Sequence, residues 1–238
     1  MYEFDARIRY SEVDSEGRLT WIALLNYFQD VSTFQSEEGG AGVSYLMERN
    51  LAWVLNSWQI DVIRYPMLFE YVKVGTIPYG IKGFLGYRNF YLKDAATNEM
   101  AAVANSLWTL MDMEKMVPCR VTKEIAAAYP MEEKLSMEYA DRKIFFTGEG
   151  TKKEEVLVRP HHLDTNQHVN NGQYVLMAMD FLPPGFEIQR LRAEYKKSAL
   201  LSDVIVPIVY ESEKCVGIAL QTTNEKVYAN VEFCGIKK

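Results

Sequence analysis

The sequence predicts an α+β fold: two tandem copies of one unit, each an antiparallel sheet wrapped around a long apolar helix. Three observations carry that prediction. Trp21, Leu24, Leu25, Phe28, Val31 and Phe34 recur at steps of three and four, the period of a helix, and the helix they mark is too apolar to lie on a surface. Segments rich in β-branched and aromatic residues follow it, broken by turn-forming residues. The second half of the chain then replays the first in the same order.

Taken in order, residues 7–10 alternate apolar and polar, as a short strand does. Thr20 is the expected N-cap of the long helix, and Gly39, Gly40 and Gly42 are expected to end it. Residues 51–65, 71–77, 87–93 and 100–111 read as strands, with residues 94–99 as a hairpin turn between the last two. A short helix is expected near residues 123–129. The polar stretch 134–153, with Gly148 and Gly150, reads as a linker. This divides the chain into an N-terminal domain, 1–133, and a C-terminal domain, 154–238.

The repeat has a fixed offset at its start. Arg159, Leu163, Asp164, Thr165, His168, Val169 and Asn170 lie over Arg9, Val13, Asp14, Ser15, Arg18, Leu19 and Thr20, since 164 − 14 = 150. Further on, the block 193–197 lies over 60–64, each followed by a strand (residues 204–210 and 71–77). Then 223–225 with 228–233 lies over 97–99 with 103–108. A very apolar helix followed by a meander of strands buries itself if the sheet curls around it, which is the hotdog arrangement. Two fused copies would form an intrachain pseudo-dimer. The copies are not equal: Asn166 and His168 fall on Glu16 and Arg18. One active site, in the second copy, is therefore expected. The first copy keeps a degenerate one.

Composition narrows the function. The chain is 48% hydrophobic and 24% charged, as ordinary globular proteins are. A net charge of −6 argues against broad nucleic-acid or anionic-membrane binding. No apolar run is long enough to span a bilayer, and the first residues do not resemble a signal peptide. Cys119, Cys215 and Cys234 are odd in number and widely spaced. They are expected to be free thiols in a reducing cytoplasm.

The chemistry concentrates in Asp164-Thr-Asn166-Gln-His168-Val-Asn170-Asn171. A carboxylate, an amide and an imidazole occupy alternate positions just before a short apolar helical pattern of Tyr174, Val175, Met177, Ala178 and Phe181, stopped by Pro183 and Pro184. Asn170 or Asn171 is the expected N-cap. The free N–H groups and positive dipole end of a helix start suit a polarised carbonyl. In an extended lead-in the three side chains would point to one side.

On these residues the chain resembles the acyl-acyl carrier protein thioesterases, the chain-terminating enzymes of fatty acid synthesis. The resemblance runs over nearly the whole sequence: Arg9-Tyr-Ser-Glu-Val-Asp14, Trp53-Val-Leu55, Asp61-Val-Ile-Arg64-Tyr-Pro66, Ser106-Leu-Trp108-Thr-Leu-Met111, the Asp164 signature and Glu194-Tyr195-Lys196-Lys197. With no plastid transit extension it looks like the bacterial branch. It implies a double hotdog fold and hydrolysis of a fatty acyl thioester on a carrier-bound phosphopantetheine arm, with Asp164, Asn166 and His168 catalytic. It implies no cofactor, no metal and no nucleic acid, with the acyl carrier protein as partner; a homodimer is among the expected assemblies. One departure is plain: where the family often has Glu-Cys after its Glu-Tyr-Arg-Arg block, this chain has Ser198 and Ala199, so a cysteine nucleophile there is absent.

Asp164, alone or through His168, is expected to activate water; Asn166 and an N–H at the start of the following helix would hold the carbonyl oxygen. Taken alone, an Asp-x-Asn-x-His pattern is more often a polar loop; the repeat and the resemblance lift it above that. His161, His162, Asp164 and His168 lack a metal-ligand spacing. Substrate-binding candidates are Asn170, Asn171, Trp53, Trp58, Arg192, Lys196 and Lys197, with Trp53 and Trp58, beside Leu55, as acyl-tunnel lining. Arg190, Arg192, Lys196 and Lys197 form a basic cluster read either as solvated surface or as a docking patch for an acidic carrier or for phosphopantetheine phosphate. Rival readings are a hotdog acyl-CoA thioesterase, a dehydratase-like relative, and a non-catalytic acyl-binding protein.

Overall fold

In the computed structural model, which describes residues 1–237, the order of elements is that of a duplicated helix-and-meander unit. The first unit comprises residues 1–56 and 62–139, the second residues 57–61 and 140–238. The first unit begins with β1 (Tyr2–Arg7), earlier than the strand expected at 7–10; residues 10–12 instead form a single 3₁₀ turn. Next come α1 (Trp21–Glu38), α2 (Val43–Met47), β2 (Leu51–Val62), β3 (Tyr71–Lys82), β4 (Leu85–Asp94), β5 (Met100–Asp112), β6 (Val117–Pro118) and α3 (Lys123–Ala127). The second unit has β7 (Thr151–Lys152), β8 (Val156–Leu157), α4 (Asn171–Met179), β9 (Phe186–Tyr195), β10 (Val204–Glu211), β11 (Cys215–Gln221) and β12 (Val227–Lys237).

The helices start where the capping residues direct. The Thr20 hydroxyl accepts from the Ala23 amide, so α1 begins at Trp21. Its buried residues include Leu24, Leu25, Phe28 and Val31; Phe28 meets Phe90 of β4 with ring centroids 5.4 Å apart. In the first unit β1, β3, β4 and β5 run as antiparallel neighbours, with β6 also on β5. In the second, residues 57–61 of β2 pair with β9, followed by β12, β11 and β10, and β7 and β8 both pair with β10. Tyr174, Val175, Met177 and Ala178 bury one face of α4.

Three expectations change. Residues 134–153 are packed at both ends: the Leu135 amide donates to Asn89 Oδ1 (3.0 Å) in the first unit, while Phe146 stacks on Tyr210 in the second, ring centroids 4.8 Å apart. Cys215 and Cys234 are not free thiols but a disulfide. They are directly opposed on β11 and β12, a register that residue spacing does not reveal. Cys119 alone is a free thiol, and burial raises its pKa. Finally, the last part of the repeat is offset by 127. Asn98 and Glu225 both have positive φ (61° each). The amides of residues 63 and 64 donate to Ala101 as those of 196 and 197 donate to Tyr228. The sequence match had placed these segments one to two residues away.

One charge lies inside the first unit. Arg88 of β4 is 8% exposed; among the described residues its guanidinium makes one hydrogen bond, to Thr76 Oγ1 at 3.3 Å, and it stands 5.4 Å from the Tyr129 ring. Burial pushes its pKa down to about 10, so it remains a cation at neutral pH.

Candidate active site

Residues 163–169 form a tight turn rather than an extended lead-in, so strand alternation does not set the directions of Asp164, Asn166 and His168. The Asp164 amide donates to the His168 carbonyl (2.8 Å) and the Gln167 amide to the Asp164 carbonyl (3.1 Å). Asp164 Oδ1 accepts from the amides of Asn166 (2.8 Å) and His168 (3.3 Å). One carboxylate oxygen thus builds the turn. The other accepts no hydrogen bond among the described residues. Gln167 takes φ 61°, a left-handed conformation that a non-glycine residue adopts at a cost of order 1 kcal/mol.

The turn is set against α4 by its neighbours. The Asn170 amide donates to the His162 carbonyl (2.9 Å), and the Asn170 side chain caps the helix by accepting from Gly172 (2.8 Å). Asn170, not Asn171, is therefore the cap. The Gln173 amide is taken by the Asn170 carbonyl (2.9 Å). Of the first donors of α4, that leaves the Asn171 N–H with no partner among the described residues, the kind of donor an oxyanion site needs. His168 is half-buried and Asn166 exposed.

His161 and His162 sit in the 3₁₀ turn 160–162, their rings 4.2 Å apart. His162 Nδ1 accepts from the Arg159 amide (3.0 Å), which requires the neutral ring on that nitrogen; burial, then His161 and Arg159, lowers its pKa. Among the described residues, no group of three His, Cys, Asp or Glu side chains is arranged to hold a metal.

The basic cluster is largely committed to structure. Arg190 is ion-paired with Asp61, and Arg192 Nη1 with Glu232 (2.8 Å) while Nη2 donates to the carbonyls of Asp141 and Lys143. Lys196 stands 3.5 Å from Glu194 and Lys197 lies over the Tyr228 ring; both are exposed. Trp53 donates through Nε1 to Tyr129 Oη (3.1 Å) and packs against the cluster of Leu46, Leu110 and Ile125. Trp58 is buried. Two residues from Trp53 on the same strand, Leu55 shares its face.

Two hydroxyls near the turn were not singled out from the sequence. Tyr195 Oη donates to the Asn171 carbonyl (3.0 Å), and Tyr174 Oη accepts from the Ala199 amide (2.7 Å). Tyr174 reads as an apolar helix position and Tyr195 as part of a motif block. The signal that finds them is the repeat, which has Leu24 and Val62 in their places.

A signature turn ahead of a buried helix, in the second of two helix-and-meander units, defines the class: the tandem hotdog proteins. The chain belongs to the acyl-ACP thioesterase family: residues 1–129 match the acyl-ACP thioesterase N-terminal domain and residues 147–232 the C-terminal domain. Among curated relatives, oleoyl-acyl carrier protein thioesterase 1 of Arabidopsis thaliana is 25% identical over 83% of this chain and 60% of its own length. The chain thus spans between half and two thirds of the curated relatives it matches. The fold is shared with a solved acyl-ACP thioesterase from Bacteroides thetaiotaomicron (TM-score 0.89, 22% identity, 98% of this chain and 96% of that one). It is also shared with the 12:0-ACP thioesterase from Umbellularia californica (TM-score 0.82, 19% identity, 100% and 97%).

Proposed function

We propose that this chain is a thiolester hydrolase that releases free fatty acid from fatty acyl-acyl carrier protein, ending acyl-chain elongation. The observation that carries the proposal is the asymmetry of Asp164: Oδ1 holds the turn, while Oδ2 accepts no hydrogen bond among the described residues. A thioester is an easy acyl substrate, its leaving thiol having a pKa of roughly 8.5. The work left to the site is to activate a water, hold the carbonyl oxygen and place the two.

Imidazole is the side chain that exchanges protons near neutral pH. In this reading His168 takes a proton from the attacking water and returns it to the departing thiolate. Asp164 Oδ2 balances the charge that His168 carries in between. The Asn166 carboxamide and the Asn171 N–H donate to the oxyanion. In this reading no cysteine takes part: Ala199 stands where the family often has cysteine, Cys119 lies outside the signature, and Cys215 and Cys234 are paired with each other. The chain needs no cofactor, because the substrate brings its own phosphopantetheine arm. Of the basic cluster, Lys196 and Lys197 are the members exposed enough to meet an acidic carrier. Among the described residues, no helix is long and apolar enough to cross a membrane. Because the carrier-linked substrate defines where the reaction runs, we place it in the cytoplasm with the carrier.

The test is fatty acid release from a panel of acyl-acyl carrier proteins, short to long, with acyl-CoAs alongside. Carrier-linked substrates should be turned over and His168→Ala should lose roughly 10²- to 10⁴-fold in kcat. Hydrolysis surviving in that variant removes His168 from its role. Preference for acyl-CoA moves the assignment to a CoA thioesterase, and acyl binding without hydrolysis to a binding protein.

A further inference from the structure

We infer that Tyr174 is a positioning residue for the catalytic turn, acting through the main chain of Ala199. The inference rests on the thioesterase reading only for its kinetic arm. Ala199, fully buried, is held at both ends of its backbone. Its carbonyl accepts from the Val169 amide, the residue after His168, at 3.0 Å. Its amide donates to Tyr174 Oη at 2.7 Å. Tyr174 lies one turn into α4, whose first residues Asn170 and Asn171 join directly to the catalytic turn. A closed ring of contacts therefore runs from His168 through Val169, Ala199, Tyr174 and the start of α4 back to Asn170. A second tether holds the strap of residues 199–203, between β9 and β10, in place: Asp203 Oδ2 accepts from the Leu200 amide (2.9 Å) and from Tyr228 Oη (2.9 Å).

The first unit supplies an internal control. There the Leu19 amide donates to the Pro66 carbonyl at 2.8 Å, the counterpart of Val169 to Ala199. Pro66 has no N–H, and the residue at the Tyr174 position is Leu24. Where the strap residue has no donor, the helix offers no acceptor; where it has one, the helix offers a hydroxyl. Burial raises the Tyr174 pKa, which keeps the phenol protonated through the working range. The pairing matters in the copy that carries Asn166 and His168, and the copy with Glu16 and Arg18 does without it.

Tyr174→Phe removes one oxygen and leaves the Ala199 N–H buried without an acceptor. The expected result is a kcat lowered roughly 10- to 100-fold with KM nearly unchanged, measured on acyl-acyl carrier protein well below the melting temperature. Tyr174→Phe combined with Ala199→Pro copies the first unit's solution by deleting the stranded donor. It should recover most of the lost kcat, which a loss of packing alone would not. The same variants are followed by the ¹H–¹³C ring resonance of His168, resolvable because the chain has three histidines. That resonance should shift or broaden in Tyr174→Phe and return in the double variant. A Tyr174→Phe enzyme within twofold of wild type with an unmoved resonance overturns the inference, as does a loss the second substitution leaves untouched. Should wild type hydrolyse no thioester, the thioesterase reading fails and the His168 resonance alone decides for or against the tether.

Discussion

The two turns at residues 13–19 and 163–169 have the same scaffold and different occupants. In both, the aspartate amide bonds the residue four along, and Oδ1 accepts from two backbone amides, at 2.9 Å from Glu16 and Arg18 in the first. In both, a left-handed residue sits third after the aspartate: Gly17 at φ 77° and Gln167 at φ 61°. The difference is the second carboxylate oxygen. In the first turn Asp14 Oδ2 accepts from Arg18 Nε (3.3 Å), and Arg18 also pairs with Glu16 (3.0 Å). Hydrogen bonds from Arg18 and Glu16, opposed by burial, hold Asp14 below its usual pKa. The second turn has His168 and Asn166 in those positions, and among the described residues its Oδ2 accepts no hydrogen bond. The aspartate is thus a structural residue in both copies, and the two differ in whether an arginine claims its second oxygen.

The sharpest way to break that comparison is at Asp164 itself. Asp164→Asn keeps an oxygen that can accept the two amides and removes the charge. It should lower kcat by roughly 10²-fold or more while the melting temperature stays close to wild type. Asp164→Ala removes both and should also lose about 1–2 kcal/mol of stability, read by denaturant unfolding. Equal stability losses in the two variants would show that the turn does not depend on the side-chain acceptor.

A second difference lies in the cores. Arg88 faces Ser106 across β4 and β5; the 127-residue offset carries Ser106 to Phe233, which faces Val216 across β11 and β12. One copy buries a cation with a single hydroxyl partner where the other buries a methyl-bearing side chain. Arg88→Met should therefore raise stability, by about 1–4 kcal/mol, seen as a higher denaturant midpoint at unchanged m-value. A loss of stability would mean that the Thr76 and Tyr129 contacts outweigh the desolvation of the guanidinium.

The smallest effect separates the turns by pH. His162 and Glu12 occupy matching places, each accepting from the amide three residues back, Arg159 (3.0 Å) and Arg9 (2.8 Å). For His162 the folded pKa is lowered from 6.5, chiefly by burial, so the neutral ring is the folded form. Its contribution is complete above pH 6.5 and fades as pH falls below that value. For Glu12 burial pushes up, but the hydrogen bonds from Arg9 and Tyr27 prevail and hold it below 4.5. Its contribution is complete above 4.5 and is lost only under stronger acid. On acidification, amide exchange should therefore quicken at Arg159 before it does at Arg9. The reverse order would remove the imidazole from the role of acceptor.

Much of this was legible in the residues. Periodicity and capping chemistry placed α1 and the start of α4, and the constant offset of 150 exposed the paired turns. What stayed hidden depends on long-range register. Whether Cys215 faces Cys234 is decided by how β11 and β12 align. That one tyrosine hydroxyl reaches an alanine 25 positions on is decided by how α4 meets the strap. Gln167 in a left-handed conformation was unreadable because nothing local asks a glutamine to go there. The alternation that seemed to aim Asp164, Asn166 and His168 together assumed a strand where the aspartate's own hydrogen bonds make a turn.

Strand β2 lends five of its twelve residues to the second unit: residues 57–61 run beside β9, while residues 51–56 belong with the first. The two copies are therefore not cleanly divided in the polypeptide. A C-terminal fragment begun at residue 140 would leave one side of β9, from Arg190 to Glu194, with open amides and carbonyls for stray chains to join. Duplication wrote the sequence as two consecutive sentences, but one clause of the second was set down inside the first, so neither half can be excised and still be read.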